Sequence, residues 1–258
     1  MAAASYATAP ARPAYFFVWL SALCAVFAFG TFAATYWLQL MAGTFVGGNV
    51  LLHVHAALFS AWCVLFVTQS WLVARGHVAD HRAWGLVGVS LASVMVVIGF
   101  WVAVHAENVM LAKGYGDQAR AFFYLPLTGI LEFAAFFAAA VALRRKTEWH
   151  KRFMLAGTAG LLEAGAARIG FLMATGGGPG ARPGLSPPPP VASGIAGSLI
   201  VSAFLLAALV YDWRSRGRPH PATLIGLVAI LGFGFLGPAI AATPAWMRMV
   251  DALAAFAK

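Results

Sequence analysis

Seven long apolar segments constrain this 258-residue chain more than any other feature of its sequence. A helix needs about 20 apolar residues, each adding about 1.5 Å, to cross a bilayer. Backbone polar groups in lipid must be satisfied within their own segment, so each segment is predicted to be a helix. The predicted crossings are Tyr15–Met41, Val50–Ala74, Ala83–Val104, Ala121–Leu143, Phe153–Thr175, Val191–Tyr211 and Ala222–Ala242. The pattern predicts an all-α polytopic membrane bundle with seven transmembrane helices.

Composition supports one membrane domain with short appendages. Hydrophobic residues make up 62% of the chain and charged residues 10%, which excludes an ordinary soluble domain and intrinsic disorder. Residues 15–242 are predicted to form the single seven-helix domain, preceded by a mobile cytoplasmic tail at 1–14. The loop 176–190, GGGPGARPGLSPPPP, cannot be helical because of its glycine and proline content. Residues 243–258 are predicted to form a short amphipathic tail on the outer surface.

Most basic residues lie in alternate connections, and this placement predicts the topology. The net charge is +9, and its main groups lie after the second, fourth and sixth crossings. Cytoplasmic loops are rich in Lys and Arg, so the N-terminus is predicted to be cytoplasmic and the C-terminus periplasmic or outside. The basic charge then indicates topology and contact with lipid headgroups rather than nucleic-acid binding. The predicted location is the bacterial inner (cytoplasmic) membrane, with multiple crossings.

A group of histidine and acidic residues is expected near the outer end of the second and third helices. In LLHVHAALFSAW, His53 and His55 point to nearly opposite faces of a regular helix. His55 shares its stripe with Trp62 and Gln69, so that stripe is predicted to face inward. The second and third helices should be antiparallel neighbours. The candidate ligands of a divalent metal are His53 and His55, together with His105 and Glu107 at the end of the third helix.

Two acidic residues and one arginine are predicted to lie deep in the membrane. Glu132 and Glu163 fall within about 10 Å of the bilayer midplane. A lone carboxylate at that depth costs several kcal/mol (roughly) unless it is paired, protonated or bound to a cation. Arg168 is the expected partner of at least one of them. These three residues are the candidate catalytic or proton-carrying groups; alternatively, a Glu–Arg pair could simply fix helix packing.

Two further histidines begin helices at the basic side of the bundle. His81 and His150 open the third and fifth helices, from which neutral imidazoles could bind a haem iron on opposite faces. The alternative is that they simply occupy polar helix starts at the membrane interface. The basic residues expected to meet haem propionates are Arg82, Lys151 and Arg152. The glycines expected to make space for the macrocycle are Gly85, Gly88 and Gly157.

The motifs HVHAALFSAW, DHRAWGLVG and WHKRFM resemble those of bacterial multi-pass membrane proteins that carry an HR-x-x-G element and a later WHKR-x-M element. The resemblance covers about residues 50–220. More distantly, the chain is similar to transmembrane di-haem b-type cytochromes, whose histidines at helix starts bind two haems. The fourth helix, opening AFFYLPLTG, has no histidine near Tyr124, unlike those cytochromes. The resemblance therefore implies at most one haem, held by His81 and His150.

The sequence is compatible with three functions, and it does not decide whether the protein is an enzyme. The first is a membrane redox protein that holds a b-type haem or a metal ion and exchanges electrons with a quinone-like partner. The second is a metal-dependent enzyme acting on a lipid or another apolar substrate through the outer His/Glu group. The third is a proton-coupled transporter, or a noncatalytic subunit of a membrane complex. A homo-oligomer or a larger assembly is compatible with each.

Overall fold

The structure is a computed structural model that describes residues 15–256. The predicted tail at 1–14 and residues 257–258 lie outside this range. The described residues form helices joined by turns and loops, with no strand among them. A π-helical turn, Ala33–Trp37, joins the first two α-helices. The α-helices are α1 Phe16–Phe32, α2 Leu38–Met41, α3 Val50–Ala74, α4 Val78–Ala112, α5 Gly116–Phe122, α6 Tyr124–Ala142, α7 Thr147–Leu161, α8 Glu163–Thr175, α9 Ser193–Arg216, α10 Pro221–Ala241 and α11 Pro244–Phe256.

Six helical segments in the described range are long and apolar enough to cross a membrane, which confirms the all-α, multi-pass prediction. They are Phe16–Met41, Val50–Ala74, Val78–Ala112, Gly116–Ala142, Ser193–Arg216 and Pro221–Ala241. The missing member is the predicted fifth crossing, Phe153–Thr175. It is not one continuous helix, because α7 ends at Leu161 and α8 begins at Glu163. Each half is too short to be counted as a crossing alone.

The break at Leu162 has a local cause in the hydrogen bonding. The amide of Leu162 donates to the carbonyl of Ala159 at 3.0 Å, and the amide of Gly165 donates to the carbonyl of Leu162 at 2.9 Å. These bonds span three residues rather than four, so the chain tightens for about one turn. The break places Glu163 at the first position of a new helix.

Two other boundaries differ from the predicted spans. Helix α4 runs from Val78 to Ala112, so His105 lies inside the helix rather than at its end. The predicted crossing Ala121–Leu143 is divided by a turn at Phe123 into α5 and α6. Hydropathy identifies the apolar part of a segment, whereas backbone hydrogen bonding continues into its polar flanks. The predicted limits were therefore too short where polar residues extend a helix.

Small residues let helices α7, α9 and α10 approach closely. A Cβ on Gly226 of α10 would lie 2.8 Å from the Cβ of Ala156 of α7. A Cβ on Gly234 of α10 would overlap the Ser198 hydroxyl of α9. Close approach through small side chains is a common way to pack helices in membranes. The core beside these contacts includes the buried residues Leu155, Val201, Leu205 and Ile230.

The two ends of the bundle differ in character. We call the end with the α3–α4, α6–α7 and α9–α10 connections the basic end, and the opposite end the loop end. The loop 176–190 is not helical, as predicted, and lies across the loop end. Gln39 donates to the carbonyl of Ala181 at 2.7 Å, Arg182 to that of Val46 at 2.6 Å, and Lys113 to that of Gly184 at 3.0 Å. The loop is therefore anchored to the α2–α3 and α4–α5 connections.

The predicted amphipathic tail forms a helix, α11, at the loop end. Its Asp251 pairs with Arg120 of α5 at 2.7 Å, and the Trp246 indole donates to the backbone carbonyl of Arg120 at 2.8 Å. Val250 is fully buried against the bundle. Helix α11 thus packs its apolar face on protein as well as adding to the surface of this end.

Candidate functional site

The structure brings His81 of α4 and His150 of α7 together at the basic end. Their ring centres lie 6.2 Å apart, with the ring planes at 82°. His150 Nδ1 lies 2.9 Å from the carbonyl oxygen of Ala140, which can only accept, so Nδ1 carries the proton. This bond leaves Nε2 with a free lone pair and fixes the ring, as the carbonyl partners of metal-bound histidines do. His81 Nδ1 is buried and has no partner within the described residues.

This pair fits the axial positions of a haem in its donor type and spacing. Two imidazoles bound on opposite faces of one ion at about 2 Å have ring centres about 6 Å apart. Gly85 lies one turn after His81 on the stripe of the buried Gly88, and a Cβ there would meet no atom within 4 Å. Free space therefore adjoins His81 on the inward face of α4.

The predicted space for a macrocycle is only partly present. A Cβ on Gly157 would lie 3.2 Å from the Cβ of Phe136, and one on Gly88 would lie 3.4 Å from Leu65. These two glycines serve helix packing, which corrects their predicted role. Neither of two shallow grooves on the surface is lined by His81 or His150. One, of about 310 Å³, lies at the α1–α9 contact, and the other, of about 250 Å³, lies beside Trp84. Among these three glycines, open space is therefore found only at Gly85.

Two of the three predicted propionate partners are engaged elsewhere. Lys151 pairs with Glu148 at 2.7 Å. Arg152 is 1% exposed and forms a two-pronged ion pair with the buried Asp212. Arg82 is exposed and makes no ion pair within the described range, so it alone keeps the predicted role.

The Arg152–Asp212 pair belongs to a polar network that the sequence reading missed. Besides Arg152, Asp212 accepts from the Thr223 hydroxyl at 2.8 Å and from the backbone amide of His220 at 3.3 Å. Glu148 accepts from Arg152 at 2.7 Å and from Arg216 at 2.5 Å. The network ties α7, α9 and α10 together at the basic end. The available signal was a lone acidic residue, Asp212, inside the basic run YDWRSR.

Electrostatics keep the members of this network in fixed charge states. Burial raises the pKa of Glu148, but hydrogen bonds from Lys151 and Arg152 outweigh it and hold that pKa below its usual range. Burial, Arg152 and Arg216 lower the pKa of His220. Neutral His220 accepts the Ala222 amide at 3.1 Å and so caps α10. This histidine has a structural role.

Glu132 and Glu163 approach the same interior region near the break in α7–α8. Glu132 is 5% exposed, and a Cβ on Gly160 would lie 3.5 Å from its Oε2. Gly160 lies in the last turn of α7 and Glu163 begins α8, so both lie at the break. On the α9 side, a Cβ on Gly197 would lie 3.9 Å from the Cβ of Glu163. One oxygen of each glutamate is buried without a hydrogen-bond partner in the described part of the chain.

Arg168 does not pair with either glutamate, contrary to the prediction. Its guanidinium donates to the carbonyl of Ala164 at 2.7 Å and lies 3.6 Å from the ring centre of Phe32. None of the ion pairs among residues 15–256 includes Arg168. Arg168 is five positions after Glu163 on α8, so the two side chains point about 140° apart around the helix. Arg168 therefore faces α1, whereas Glu163 faces α9.

The four predicted metal ligands are not assembled into a metal site. The described residues contain no group of three or more His, Cys, Asp or Glu side chains that could hold a metal ion. His53 bonds to the Tyr36 hydroxyl at 2.8 Å, and His105 bonds to the Asn49 side chain at 2.9 Å. Two of the four candidate ligands are therefore hydrogen-bonded to other polar side chains. Glu107 is 3% exposed and neither of its oxygens has a partner there.

The predicted inward stripe of α3 is confirmed. Trp62 is 3% exposed and donates to the Thr158 hydroxyl at 3.2 Å, whereas Val64 on the His53 stripe is 57% exposed. His55 stacks on Phe59 with ring centres 4.1 Å apart, and its Nδ1 is buried without a partner among the described residues. His55 therefore lies inside the bundle but apart from the other three predicted ligands.

No protein-family model, curated protein or solved structure matches this chain. The resemblance to multi-pass proteins and b-type cytochromes therefore stays a prediction.

Proposed function

We propose that this is an integral membrane redox protein that holds one b-type haem between His81 and His150. The observation that carries the proposal is the 6.2 Å approach of two imidazoles from separate helices. The Ala140 carbonyl fixes the His150 ring through Nδ1, and His81 Nδ1 is buried without a partner among the described residues. A bound haem would supply one-electron chemistry, which suits exchange with an apolar, quinone-like partner in the bilayer.

One haem fits the arrangement better than two. At the loop end, His53 and His105 are bonded to Tyr36 and Asn49. On α6, where di-haem cytochromes would need a second histidine, Tyr124 donates its hydroxyl to the carbonyl of Phe233 at 3.1 Å. His53, His105 and Tyr124 are therefore already engaged by protein contacts, which leaves no second histidine pair at this end among the described residues.

An optical spectrum of the purified protein tests the haem. Protein expressed with added haem precursor should absorb as a bis-imidazole haem, with bands that shift on reduction by dithionite, at about one haem per chain. Protein that stays colourless after this expression and after incubation with haemin would refute the proposal.

We also propose seven crossings, with α7 and α8 together forming the fifth. The N-terminus then faces the cytoplasm of a bacterial inner membrane and the C-terminus faces outside. This reading is supported by the concentration of Arg and Lys at the basic end. A six-crossing arrangement would return the C-terminus to the cytoplasm.

Reporter fusions separate seven crossings from six. Alkaline phosphatase fused after Lys258 should be active, because it folds only outside the cytoplasm, and a fluorescent protein fused there should be dark. Fusions at Gly217, in the α9–α10 connection, should give the reverse result. An inactive phosphatase at Lys258, with normal membrane levels of the fusion, would contradict seven crossings.

A proton-coupled transporter is the second candidate, favoured by the acidic pair inside the bundle. Glu132 and Glu163 come from different helices and lie near one helix break, with no arginine or lysine paired to them in the described range. Two carboxyls in such a place favour sharing a proton or binding a cation over carrying two charges. Discontinuous helices often form ion sites in transporters.

Proton flux into proteoliposomes tests this candidate. Under an imposed membrane potential, wild-type protein should acidify the lumen, as read by a trapped pH dye. Glu132→Gln and Glu163→Gln should each lower the flux about tenfold or more, since the relay loses a titratable group. The matched control is Glu148→Gln, at the basic end, which should keep the wild-type proton flux. Equal flux in Glu163→Gln and wild type would count against the relay.

A further inference from the structure

Unpartnered polar atoms occur on the π-helical turn Ala33–Trp37 and on the two helices packed beside it, α3 and α8. They are Thr35 Oγ1, His55 Nδ1 and Arg168 Nε, each buried and without a hydrogen-bond partner among the described residues. Thr35 is 2% exposed, so its hydroxyl has no access to bulk water. Buried polar groups are normally satisfied, and each exception calls for a cause. All three atoms can donate a hydrogen bond.

Helix packing explains why these atoms come from neighbouring surfaces. Helices α1 and α8 touch at Gly165, where a Cβ would lie 2.5 Å from the Thr31 hydroxyl. Thr35 lies about one turn beyond Thr31. The Tyr36–His53 bond holds the same part of the chain against α3. The π-helical turn therefore lies between Arg168 on one side and the start of α3 on the other, and such turns are frequent at functional sites.

The charge at this place is uncompensated. The Arg168 guanidinium contacts the ring of Phe32 and its own helix carbonyl at Ala164, but no carboxylate in the described ion pairs. Arg182, from the anchored loop, adds a second positive charge in this part of the bundle, and within residues 15–256 it bonds to the backbone carbonyls of Val46 and Gly47. A cation in an apolar segment requires a counter-charge or a path to one.

We propose that Arg168, His55 and Thr35 form a binding site for an anionic oxygen group, a carboxylate or a phosphate. The free edge of the guanidinium supplies charge and donors, and the imidazole and hydroxyl add two neutral donors. The group can belong to an anionic lipid headgroup or to a free small anion. The site lies toward the loop end and is independent of the proposed haem.

Binding can be measured with the purified protein in a non-ionic detergent, from the thermal midpoint read by tryptophan fluorescence. The probes are dihexanoyl phosphatidylglycerol, the zwitterionic dihexanoyl phosphatidylcholine as its control, and inorganic phosphate at constant ionic strength. We expect a saturable rise of the midpoint with the anionic lipid, with phosphate, or with both. A response to phosphatidylglycerol alone assigns the site to a headgroup, and an equal response to phosphate assigns it to a free anion.

Variants tie the response to the site. Arg168→Gln should weaken binding at least tenfold, and Thr35→Val, which exchanges a hydroxyl for a methyl group, should weaken it about threefold or more. Arg75→Gln removes a guanidinium that also lies over an aromatic ring, that of Trp71 at 5.5 Å, and should change nothing. If Arg168→Gln does not fold, Thr35→Val alone tests the site. Binding of headgroups by Arg168 without the other two residues would not depend on the Thr35 hydroxyl.

Two results would overturn the site. One is the absence of a saturable response to both anionic probes in the wild-type protein. The other is wild-type affinity in Thr35→Val, whatever Arg168→Gln does.

Discussion

Replacing Asp212 with alanine should lower the free energy of unfolding by about 3–5 kcal/mol. Asp212 is fully buried and holds the guanidinium of Arg152, which is 1% exposed. Without the carboxylate, this guanidinium keeps only Glu148 as a charged partner, and the Thr223 hydroxyl loses its acceptor. Removal of one member of a buried ion pair is costly because the other charge stays buried.

Thermal unfolding in detergent measures this loss. At about 2–4 °C per kcal/mol for a chain of this size, the midpoint should fall by roughly 10 °C. Asp80→Ala is the matched control, because Asp80 is 60% exposed and pairs only with His77 at 3.3 Å. Asp80→Ala should lower the free energy of unfolding by less than about 0.5 kcal/mol.

A double variant separates the ion pair from simple loss of packing. Arg152→Met with Asp212→Leu removes both charges and keeps apolar volume, so it should recover most of the lost stability. If Asp212→Ala melts within about 2 °C of the wild type, this pair does not stabilise the bundle as its burial implies.

His81→Ala and His150→Ala should each reduce bound haem from about one per chain to nearly none. Each variant removes one of the two axial nitrogens, and a single imidazole should not retain the haem through purification. Gly85→Leu should have a similar effect with both histidines intact, because it fills the free space beside His81. Haem content is read from the absorbance of the reduced protein relative to its concentration.

The control for these variants is His77→Ala. His77 precedes α4 and pairs with Asp80, so its replacement by alanine should leave the haem content unchanged. Full haem retention in both His81→Ala and His150→Ala would remove the pair as the axial ligands, and retention in Gly85→Leu would place the macrocycle elsewhere.

Residue spacing predicted much of the local structure. The stripe of His55 and Trp62 faces inward because both lie about two turns apart on one helix face. The glycine and proline content of the loop 176–190 excluded a helix there. The adjacency of His81 and His150 followed from two helices that both start at the basic end. These features depend on helix periodicity and on short connections.

The pairing of charged side chains could not be predicted in the same way. Arg152 and Asp212 are 60 residues apart, and their contact depends on how α7 and α9 are rotated against each other. The error over Arg168 was avoidable, since a five-residue spacing from Glu163 already directs the two side chains apart. The candidate metal ligands are not grouped in the described residues for another reason: Tyr36 and Asn49, on separate segments, bond to His53 and His105.

The composition and length of single segments were enough to predict a helical, multi-pass membrane protein, because the transfer of a segment into lipid depends on its own residues. Which polar groups meet depended on the packing of the helices, and within residues 15–256 this packing leaves Glu132 and Glu163 without a cation and Arg168 without an anion. Those contacts depend on the rotation and close packing of helices, which small residues such as Gly226 and Gly165 allow.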